Sequence, residues 1–403
     1  MPEQPDRFDE IRPYRDEEVA AVLSRLCLDA DFLRTLVGVT HPQLGRWVPR
    51  AATWAARWRV RRLTAAIRTV RELQDAMEPL LRQVIESTTR GFSVSGVETL
   101  PQGESLLFVS NHRDIVMDPA FINFTLWHQG MKTVHAAIGD NLLSKSFAAD
   151  LMRLNKSFIV KRSAKGPRET LRNSQLLSEY VRGVLSEGGN VWIAQREGRA
   201  KDGDDRTDPA VIKMLQLAYR KSGESLKDAV RAMQLVPVSL SYEFDPCDRH
   251  KARELDCIAR HGRYKKTEHE DLEQIALGVK GDKGRVHLHF GAPLQGDYRD
   301  ADEVALAIDA QIHRGYRCFP SHWLAWQRAE TIRTGTAPTL PDDLEFAIDD
   351  AARSEFWARF EELTPGEWSQ LLRMYAQPVH NQLSAQRSCE ATSAATRLFE
   401  ETE

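Results

Sequence analysis

A histidine and two aspartates lie close together in the segment 111–119, which reads Asn-His-Arg-Asp-Ile-Val-Met-Asp-Pro. His112 is followed by one carboxylate two residues later, Asp114, and by another six residues later, Asp118. An imidazole backed by a carboxylate can take a proton from a hydroxyl group, because the carboxylate fixes the ring tautomer and stabilises the imidazolium that forms. The segment therefore predicts acid–base chemistry. The alternative is a loop histidine that has no chemical role.

Two further segments place charged side chains where an apolar run ends, at 158–160 and at 191–194. Arginine holds a phosphate through two parallel hydrogen bonds, and a glycine lets the backbone approach a ligand closely. A glutamate in the second loop could accept from a hydroxyl or fix a nearby cation. The alternative is a solubilising basic pair at the end of a strand. On the first interpretation the sequence predicts an anionic substrate, bound by Lys161, Arg162, Glu197, Gly198, Arg199 and Lys201.

These segments must be positioned by a sheet, because short apolar runs alternate with helix-like segments between residues 91 and 294. Such alternation predicts an α/β layer architecture. The helix-like segments include 168–185, where apolar residues recur at helical spacing. The predicted strands are Phe92–Val94, Leu106–Ser110, Thr133–Ile138, Phe158–Lys161, Val191–Ala194, Leu235–Ser241 and Val286–Phe290.

The pattern divides the chain into three parts: a helical N-terminal extension at 1–90, an α/β domain at 91–300 and a helical C-terminal extension at 301–403. Within the α/β domain, residues 246–283 are rich in Lys, Arg, Glu and His, which favours a solvated insertion. Pro237 lies inside a strand-like run, and a proline there predicts the edge or the start of a strand.

Composition limits the compartment and the partners. A net charge of −3 over 403 residues gives no global attraction to nucleic acid or lipid, so any such attraction must be local. The five cysteines lie far apart, which fits a reducing cytoplasm better than a disulfide framework or a structural zinc site. The N-terminus has no apolar stretch typical of a secretory signal, and no run approaches the roughly 20 apolar residues that cross a bilayer. Work on a lipid would therefore be done from the membrane surface.

Four segments in this order resemble the glycerolipid acyltransferase superfamily, which includes glycerol-3-phosphate and 1-acylglycerol-3-phosphate acyltransferases. Residues 111–119 look like its His–Asp block, 158–162 like the block with a phosphate-binding arginine, 197–203 like the third block and 236–238 like the fourth. The resemblance covers about residues 91–294 and implies a mixed sheet flanked by helices.

Two spacings depart from the family pattern. Five residues separate His112 from Asp118, where the family has four, so either the turn bulges or Asp114 orients the ring. In the third block Arg199 follows Glu197 by two residues, where the family arginine follows by three.

The resemblance implies transfer of a fatty acyl group from acyl-CoA or acyl carrier protein to a hydroxyl of glycerol phosphate, a lysophospholipid or a similar anionic lipid precursor. His112 would act as the general base, without a covalent acyl-enzyme, a cofactor or a metal. Two alternatives stay open. One is a metal-dependent phosphoesterase with His112, Asp114, Asp118 and His135 as ligands, and the other is a catalytically silent protein at the membrane surface.

A basic segment with tryptophans precedes the α/β domain. Arginine beside tryptophan suits the interface of an anionic bilayer, where each basic residue contributes about 1 kcal/mol. The alternative is a helix that packs on the domain. Nucleic acid is disfavoured, because no aromatic stacking platform accompanies the arginines. The first interpretation predicts a cytoplasmic protein peripheral to the inner face of the membrane, with membrane contacts at Arg50, Trp54, Arg57, Trp58 and Arg61.

Overall fold

A seven-stranded sheet lies at the centre of the protein, and helices cover both of its faces. The structure is a computed structural model that describes residues 6–40, 49–143, 145–163, 165–267 and 270–400. Over these ranges the chain forms fifteen α-helices in addition to the sheet.

The sheet is mixed, and its strand order is β1-β7-β6-β2-β5-β3-β4. Neighbouring strands are parallel except β6 and β7, which are antiparallel. The predicted α/β class with a mixed sheet is therefore confirmed, and each strand lies within one residue of its predicted bounds. The strands are β1 (Gly91–Ser95), β2 (Leu107–Ser110), β3 (Val134–Gly139), β4 (Ser157–Val160), β5 (Asn190–Ala194), β6 (Leu235–Tyr242) and β7 (Arg285–Phe290).

The helices fall into three groups along the chain. Four precede the sheet: α1 (Asp16–Leu26), α2 (Ala30–Thr40), α3 (Pro49–Thr64) and α4 (Val70–Thr88). Seven lie between its strands: α5 (Met117–His128), α6 (Ser146–Leu154), α7 (Pro167–Ser186), α8 (Pro209–Lys221), α9 (Leu226–Met233), α10 (Asp248–His261) and α11 (Glu270–Lys280). Four follow it: α12 (Ala301–Gly315), α13 (Pro320–Thr334), α14 (Asp350–Ala358) and α15 (Pro365–Glu400). None of the described helices is long and apolar enough to cross a membrane.

Two apolar cores lie on opposite faces of the sheet, because successive side chains of a strand point to opposite sides. Leu107 and Val109 of β2 pack into a cluster with residues of α7, α8, α9 and α12. Phe108, between them, packs into a second cluster with residues of α4 and α5. Strand β2 is buried on both faces, so the polar residues that follow it emerge from a rigid support.

The helical C-terminal part begins inside the first of these cores. Val304, Ile308 and Ile312 of α12 are buried in the same cluster as β2 and β5. Helix α12 therefore packs as part of the α/β domain, although it lies after the predicted domain boundary near residue 300. The later helices, α13 to α15, build a separate cluster of their own, which includes Phe244 and Ala252.

The expectation of a solvated insertion at 246–283 is wrong for its central charges. The segment forms α10 and α11, and Lys251 is 1% exposed while Glu270 is 3% exposed. Each buried charge has a partner: Lys251 pairs with Asp245, and Glu270 accepts from Gln274 and Tyr264. A buried charge is tolerated when it is paired and hydrogen-bonded. These partners lie within six residues in the sequence, and the burial depends on helices that pack over the pairs, which the charge content alone could not predict.

The position of Pro237 also differs from the expectation, because β6 is a central strand between β7 and β2. The register between β6 and β7 begins at Val238, opposite Phe290, so Pro237 lies just before that antiparallel pairing. Its carbonyl oxygen still accepts from Gly291 N, at 2.8 Å.

Candidate active site

The site lies where four parallel strands end. Strands β2, β3, β4 and β5 run in the same direction, so the segments that follow them meet at one edge of the sheet. Polar residues at the carboxyl edge of such a sheet form the usual ligand crevice of an α/β fold. This edge carries residues 111–118, 139–141, 161–163 and 195–203.

His112 is held by Asp118. Nδ1 of the ring lies 2.7 Å from Oδ2 of Asp118, and the ring is 15% exposed while the carboxylate is fully buried. A carboxylate accepts a hydrogen bond, so Nδ1 carries the proton and Nε2 is the basic nitrogen. No hydrogen-bond partner for Nε2 occurs among the residues that the structure describes. This arrangement leaves a base facing the edge of the sheet.

Asp118 receives three further hydrogen bonds. Its Oδ2 accepts from the backbone nitrogens of Arg113 and Asp114, at 2.6 and 3.0 Å, and its Oδ1 accepts from the hydroxyl of Tyr242 at 2.6 Å. Burial and the neighbouring Asp118 charge raise the pKa of Tyr242 well above its usual value, so Tyr242 stays a donor. Asp118 is therefore a fixed carboxylate rather than a mobile one.

Asp114 does not touch the ring but shapes the turn. Its Oδ1 accepts from the backbone nitrogens of Val116 and Met117, at 2.9 and 2.8 Å, immediately before α5 begins. Burial and the charge of Asp118 raise the pKa of Asp114. The additional residue between His112 and Asp118 is thus taken up by a turn that Asp114 closes, and Asp118 is the carboxylate behind the base.

His112 is also held by its ring contact with Trp192 and by a hydrogen bond to its backbone carbonyl. The rings of His112 and Trp192 meet edge to face with centroids 5.6 Å apart, and Trp192 Nε1 donates to Ser110 Oγ at 2.9 Å. The carbonyl oxygen of His112 accepts from Ala200 N at 2.9 Å. The histidine loop and the charged loop after β5 are therefore joined by a backbone hydrogen bond.

The residues on either side of His112 in sequence, Asn111 and Arg113, belong to a buried polar network with Asp205. Arg113 Nη2 donates to Asp205 at 2.6 Å, and Asn111 bridges Asp205 and the backbone of Leu240. Burial opposes the charge of Arg113, but Asp205 outweighs it and raises the arginine pKa. Asp205 ends a short acidic run at 202–205, and it is only 1% exposed. Its partner Arg113 lies 92 residues away in sequence, so the run gave no sign of this burial.

Arg162 and Glu197 come together at the mouth of the site. Nη1 of Arg162 lies 3.6 Å from Oε1 of Glu197, and both side chains are accessible, at 34% and 73%. The guanidinium crosses over Gly139 at the end of β3, where a Cβ would lie 2.8 Å from Cζ of Arg162. Any side chain there would displace the arginine. Gly198, beside Glu197, has a φ of +75°, which glycine adopts without strain.

The remaining predicted binding residues are less accessible or point elsewhere. Arg199 is 9% exposed and donates to Gln274, while Lys201 pairs with Glu254. Lys161 forms an ion pair with Glu10 of the N-terminal segment. Arg162 and Lys161 are similarly exposed, at 34% and 32%, but Lys161 pairs with Glu10, whereas Arg199 is covered by Gln274 of α11. Tyr242, Lys251 and Gln274 are parts of the site that sequence reasoning missed, because no motif marks them.

His135 and His112 contact residues on opposite faces of the sheet. His135 hydrogen-bonds Tyr180 at 2.8 Å on the face covered by α7, whereas His112 contacts Trp192, which packs on the opposite face. Burial lowers the pKa of His135 to about 4. Within the described ranges, no group of three or more His, Cys, Asp or Glu residues could hold a metal ion.

The predicted membrane-contact residues lie on α3, which exposes both tryptophans. Trp54 is 71% and Trp58 is 56% exposed, and the guanidinium of Arg62 lies 5.4 Å from the ring centre of Trp58. Arg50, Arg57 and Arg61 are exposed as well. These exposed side chains lie on one face of α3, which we call the α3 surface.

Residues 91–239 match the family model described as Acyltransferase, and this range contains His112, Asp118, Arg162 and Arg199. A glycerol-3-phosphate acyltransferase of Aeromonas hydrophila is 29% identical over 214 residues, which are 51% of this chain and 24% of that protein. The segment 91–239 is therefore similar to acyltransferases of the glycerolipid type. It spans about a quarter of the length of that curated relative.

The acyltransferase match ends inside β6, so α10 and α11 lie beyond it. A crystal structure of the 1-acyl-sn-glycerophosphate (LPA) acyltransferase PlsC from Thermotoga maritima is also similar. Its TM-score is 0.37 at 14% identity, and the similarity covers 74% of this chain and 95% of that one. That likeness is too weak to support an argument about the site.

Proposed function

We propose that this protein transfers a fatty acyl group from a carrier thioester to a hydroxyl of an anionic lipid precursor. The acceptor is glycerol phosphate, a lysophospholipid or a similar molecule, and the donor is acyl-CoA or acyl carrier protein. One observation carries the proposal: His112 is held at Nδ1 by the buried carboxylate of Asp118, at 2.7 Å, and its Nε2 is left as a base.

The chemistry follows from that tautomer. Nε2 of His112 takes the proton of the acceptor hydroxyl while its oxygen attacks the thioester carbonyl carbon, and Asp118 stabilises the imidazolium. The tetrahedral intermediate then expels the thiolate, which receives the proton from the imidazolium. The ring returns to its starting state, and an ester has replaced the thioester. No covalent bond to the protein is needed.

The acceptor's charge is matched by arginine at the same edge. Arg162 is accessible beside Glu197, and Arg199 follows two residues later in the loop that is hydrogen-bonded to His112 through Ala200. Arginine binds phosphate with two directed hydrogen bonds and so fixes its orientation. Holding the anion there brings the hydroxyl to the base, and such positioning contributes a large part of the rate.

The test is acyl transfer by the purified protein, with sn-glycerol 3-phosphate and 1-acylglycerol 3-phosphate as acceptors and acyl-CoA or acyl carrier protein as donor. His112→Ala should lower kcat by about 10²–10⁴-fold, since a positioned general base contributes that much. His261→Ala is the matched control, because His261 is exposed at the end of α10. Transfer at background level from both donors to every acceptor would refute the proposal.

We further propose that the protein works at the cytoplasmic face of an anionic membrane through the α3 surface. Exposed tryptophan suits the headgroup region, and exposed arginine is attracted to anionic lipid. Cys27, Cys247, Cys257 and Cys318 are free thiols, which fits a reducing compartment.

Vesicle sedimentation tests this contact, with phosphatidylglycerol vesicles compared with phosphatidylcholine vesicles. The double variant Trp54→Ala, Trp58→Ala should lower binding to anionic vesicles by tenfold or more, since two apolar anchors are lost. The control is Leu306→Ala, Ile332→Ala, which removes two other exposed apolar side chains. Equal binding by both double variants would contradict a specific role for α3.

A further inference from the structure

Helices α10 and α11 contact the two catalytic loops although they lie outside the residues that match the acyltransferase family. The contacts involve a buried lysine, an ion pair, an arginine–amide hydrogen bond and a close approach of a glycine. They join Lys251 Nζ to the carbonyl oxygen of Arg113 at 2.7 Å, Glu254 to Lys201, Gln274 to Arg199, and Gly278 to the Asp114 carboxylate.

The arginine contact is the end of a buried hydrogen-bond relay. Oε1 of Gln274 accepts from Nη2 of Arg199, and Nε2 of Gln274 donates to Oε1 of Glu270 at 2.9 Å. Glu270 also accepts from the hydroxyl of Tyr264 at 2.8 Å. Because Glu270 can only accept, it turns the amide nitrogen of Gln274 towards itself and the amide oxygen towards the arginine. Gln274 is only 2% exposed, so the residues packed around it hold its amide in this orientation.

One nitrogen of Arg199 has no partner. Nη1 is buried and makes no hydrogen bond to the described residues, while Nη2 is held by Gln274. A buried donor without an acceptor is costly, and more so on a charged group. A buried unpaired donor calls for an explanation, and beside a site for an anion one explanation is an acceptor that the bound anion supplies.

We propose that Gln274 is a positioning residue, which holds Arg199 so that its Nη1 binds an anionic oxygen of the acyl acceptor. This inference rests on the proposed function. It assigns the orientation of Arg199, the second cation of the proposed acceptor site, to Gln274, which lies outside the residues that match the family model. Since Nη1 is covered, the anion reaches it when α11 or the loop 195–203 shifts. Gly198 lies in that loop, with no atom within 4 Å of a Cβ placed on it.

Binding and chemistry are divided between two parts of the structure. The distance from the base to the arginine is set by the loop, through the hydrogen bond from Ala200 N to the His112 carbonyl. The direction of the guanidinium is set by α11 through Gln274. A change at Gln274 should therefore weaken acceptor binding and leave proton transfer at His112 nearly unchanged.

The test is Gln274→Met, which keeps the length of the side chain and removes both hydrogen bonds. The matched control is Gln74→Met, because Gln74 is also buried and uses both amide atoms, with Asn155 and Thr133. Those partners precede β4 and β3, at the opposite edge of the sheet. Steady-state acyl transfer gives KM for sn-glycerol 3-phosphate, KM for the donor, and kcat. A second readout, independent of activity, is the rise in Tm that inorganic phosphate and glycerol 3-phosphate produce.

We expect Gln274→Met to raise the KM for glycerol 3-phosphate by about tenfold, as for a lost contact to a charged group. Its kcat and donor KM should stay within about twofold, and the phosphate-induced rise in Tm should shrink. Gln74→Met should keep all three quantities and the rise in Tm. If Gln274→Met does not fold, Gln274→Asn replaces it, since that amide is too short to span from Glu270 to Arg199.

An unchanged acceptor KM and an unchanged phosphate effect in Gln274→Met would overturn the inference and leave the proposed function standing. A loss of kcat in both Gln→Met variants, in step with their Tm, would show a merely structural role and overturn it too. A wild-type protein that transfers no acyl group would refute the proposed function. In that case a phosphate effect that only the change at Gln274 abolishes would still support the anion site.

Discussion

Either Asp114 or Asp118 lies near enough in the sequence to orient the ring of His112. The hydrogen bonds of the two carboxylates distinguish them. Asp118 accepts from the His112 ring, two backbone nitrogens and a tyrosine hydroxyl, whereas Asp114 accepts from the start of α5. The spacing of residues could not decide between them, because a turn of one extra residue brings either carboxylate near the ring. Only the closed turn shows which one faces His112.

Asp118→Asn and Asp114→Asn should therefore differ strongly. Asn at position 118 no longer fixes the Nδ1 proton, so we expect kcat to fall by about 10²–10⁴-fold, comparable to loss of the base. Asn at position 114 still caps the turn, and the raised pKa of Asp114 means that burial already favours a neutral group there. We expect its kcat to stay within about tenfold. Steady-state kinetics at pH 7 measures both, and a larger loss at 114 would contradict the assignment.

Single residues were predictable where a strand end exposed them. His112 and Arg162 follow apolar strands, and both lie at the carboxyl edge of the sheet as expected. Lys161 was expected beside Arg162, but adjacent residues at a strand end point to opposite sides, and Lys161 pairs with Glu10. Arg199 was expected to be open to substrate and is covered by α11, whose position no local pattern encodes.

At the scale of elements, the close packing of α11 against the turn at Asp114 depends on a glycine, Gly278. A Cβ at Gly278 would overlap the carboxylate of Asp114, so the helix passes directly over the catalytic turn at that point. Gly278→Ala must push α11 away or displace Asp114. Overpacking of this kind costs about 1–3 kcal/mol, and kcat should fall because the turn moves.

Gly183→Ala is the matched control for that change. Gly183 lies within α7, and a Cβ there would meet no atom within 4 Å. Alanine in a helix is favoured over glycine by roughly 0.5–1 kcal/mol, so this variant should be slightly more stable and fully active. Urea unfolding and acyl-transfer rates on both variants test the pair. Stabilisation by Gly278→Ala would show that α11 is not in contact with the turn.

Strands were easier to predict than the charged helices between them. Each strand is a run of apolar residues that is visible locally, and all seven were placed within one residue. The charges of α10 and α11 looked solvated because Lys and Glu are seldom buried. Several partners, such as Lys201 for Glu254 and Arg199 for Gln274, come from a segment 53 and 75 residues away in the sequence. Burial by distant pairing leaves no periodic signal in the sequence.

At the scale of the whole molecule, buried neutral histidines predict a loss of stability in mild acid. Burial lowers the pKa of His135 to about 4 and that of His322 to about 3. The unfolded chain, with a histidine pKa near 6.5, takes up these protons first. The stability that the neutral histidines contribute is therefore fully present above pH 6.5, and it is lost as the pH falls towards 4. Each histidine should cost about 1.4 kcal/mol per pH unit in that window.

Urea unfolding between pH 7 and 5 measures this dependence, above the range in which most carboxylates titrate. His135→Gln should reduce the slope of unfolding free energy against pH by about 0.9 kcal/mol per unit on average over this range, rising towards about 1.4 kcal/mol per unit near pH 5, since fewer protons are taken up on unfolding. His261→Gln should leave the slope unchanged, because His261 is exposed. Equal slopes for wild type and His135→Gln would show that His135 does not contribute.

The division into three parts was predictable only in outline. The helical ends and the central sheet follow from composition and periodicity, but α12 belongs to the core of the sheet and α10 packs with the C-terminal helices. Thr207 donates from its backbone nitrogen and its hydroxyl to Asp309 of α12, at 2.7 and 2.6 Å. These contacts connect segments about 100 residues apart, and a single sequence does not reveal them.

The hydrogen bond between Ala200 and His112 has a consequence for how the two loops can vary in length. By the resemblance described for the sequence, one loop has a residue more than the family spacing, between His112 and Asp118, and the other has a residue fewer, between Glu197 and Arg199. Because the loops are tied together at that bond, lengthening one shifts the anchor of the other. We therefore expect that a change of length in one loop is best made together with a compensating change in the other.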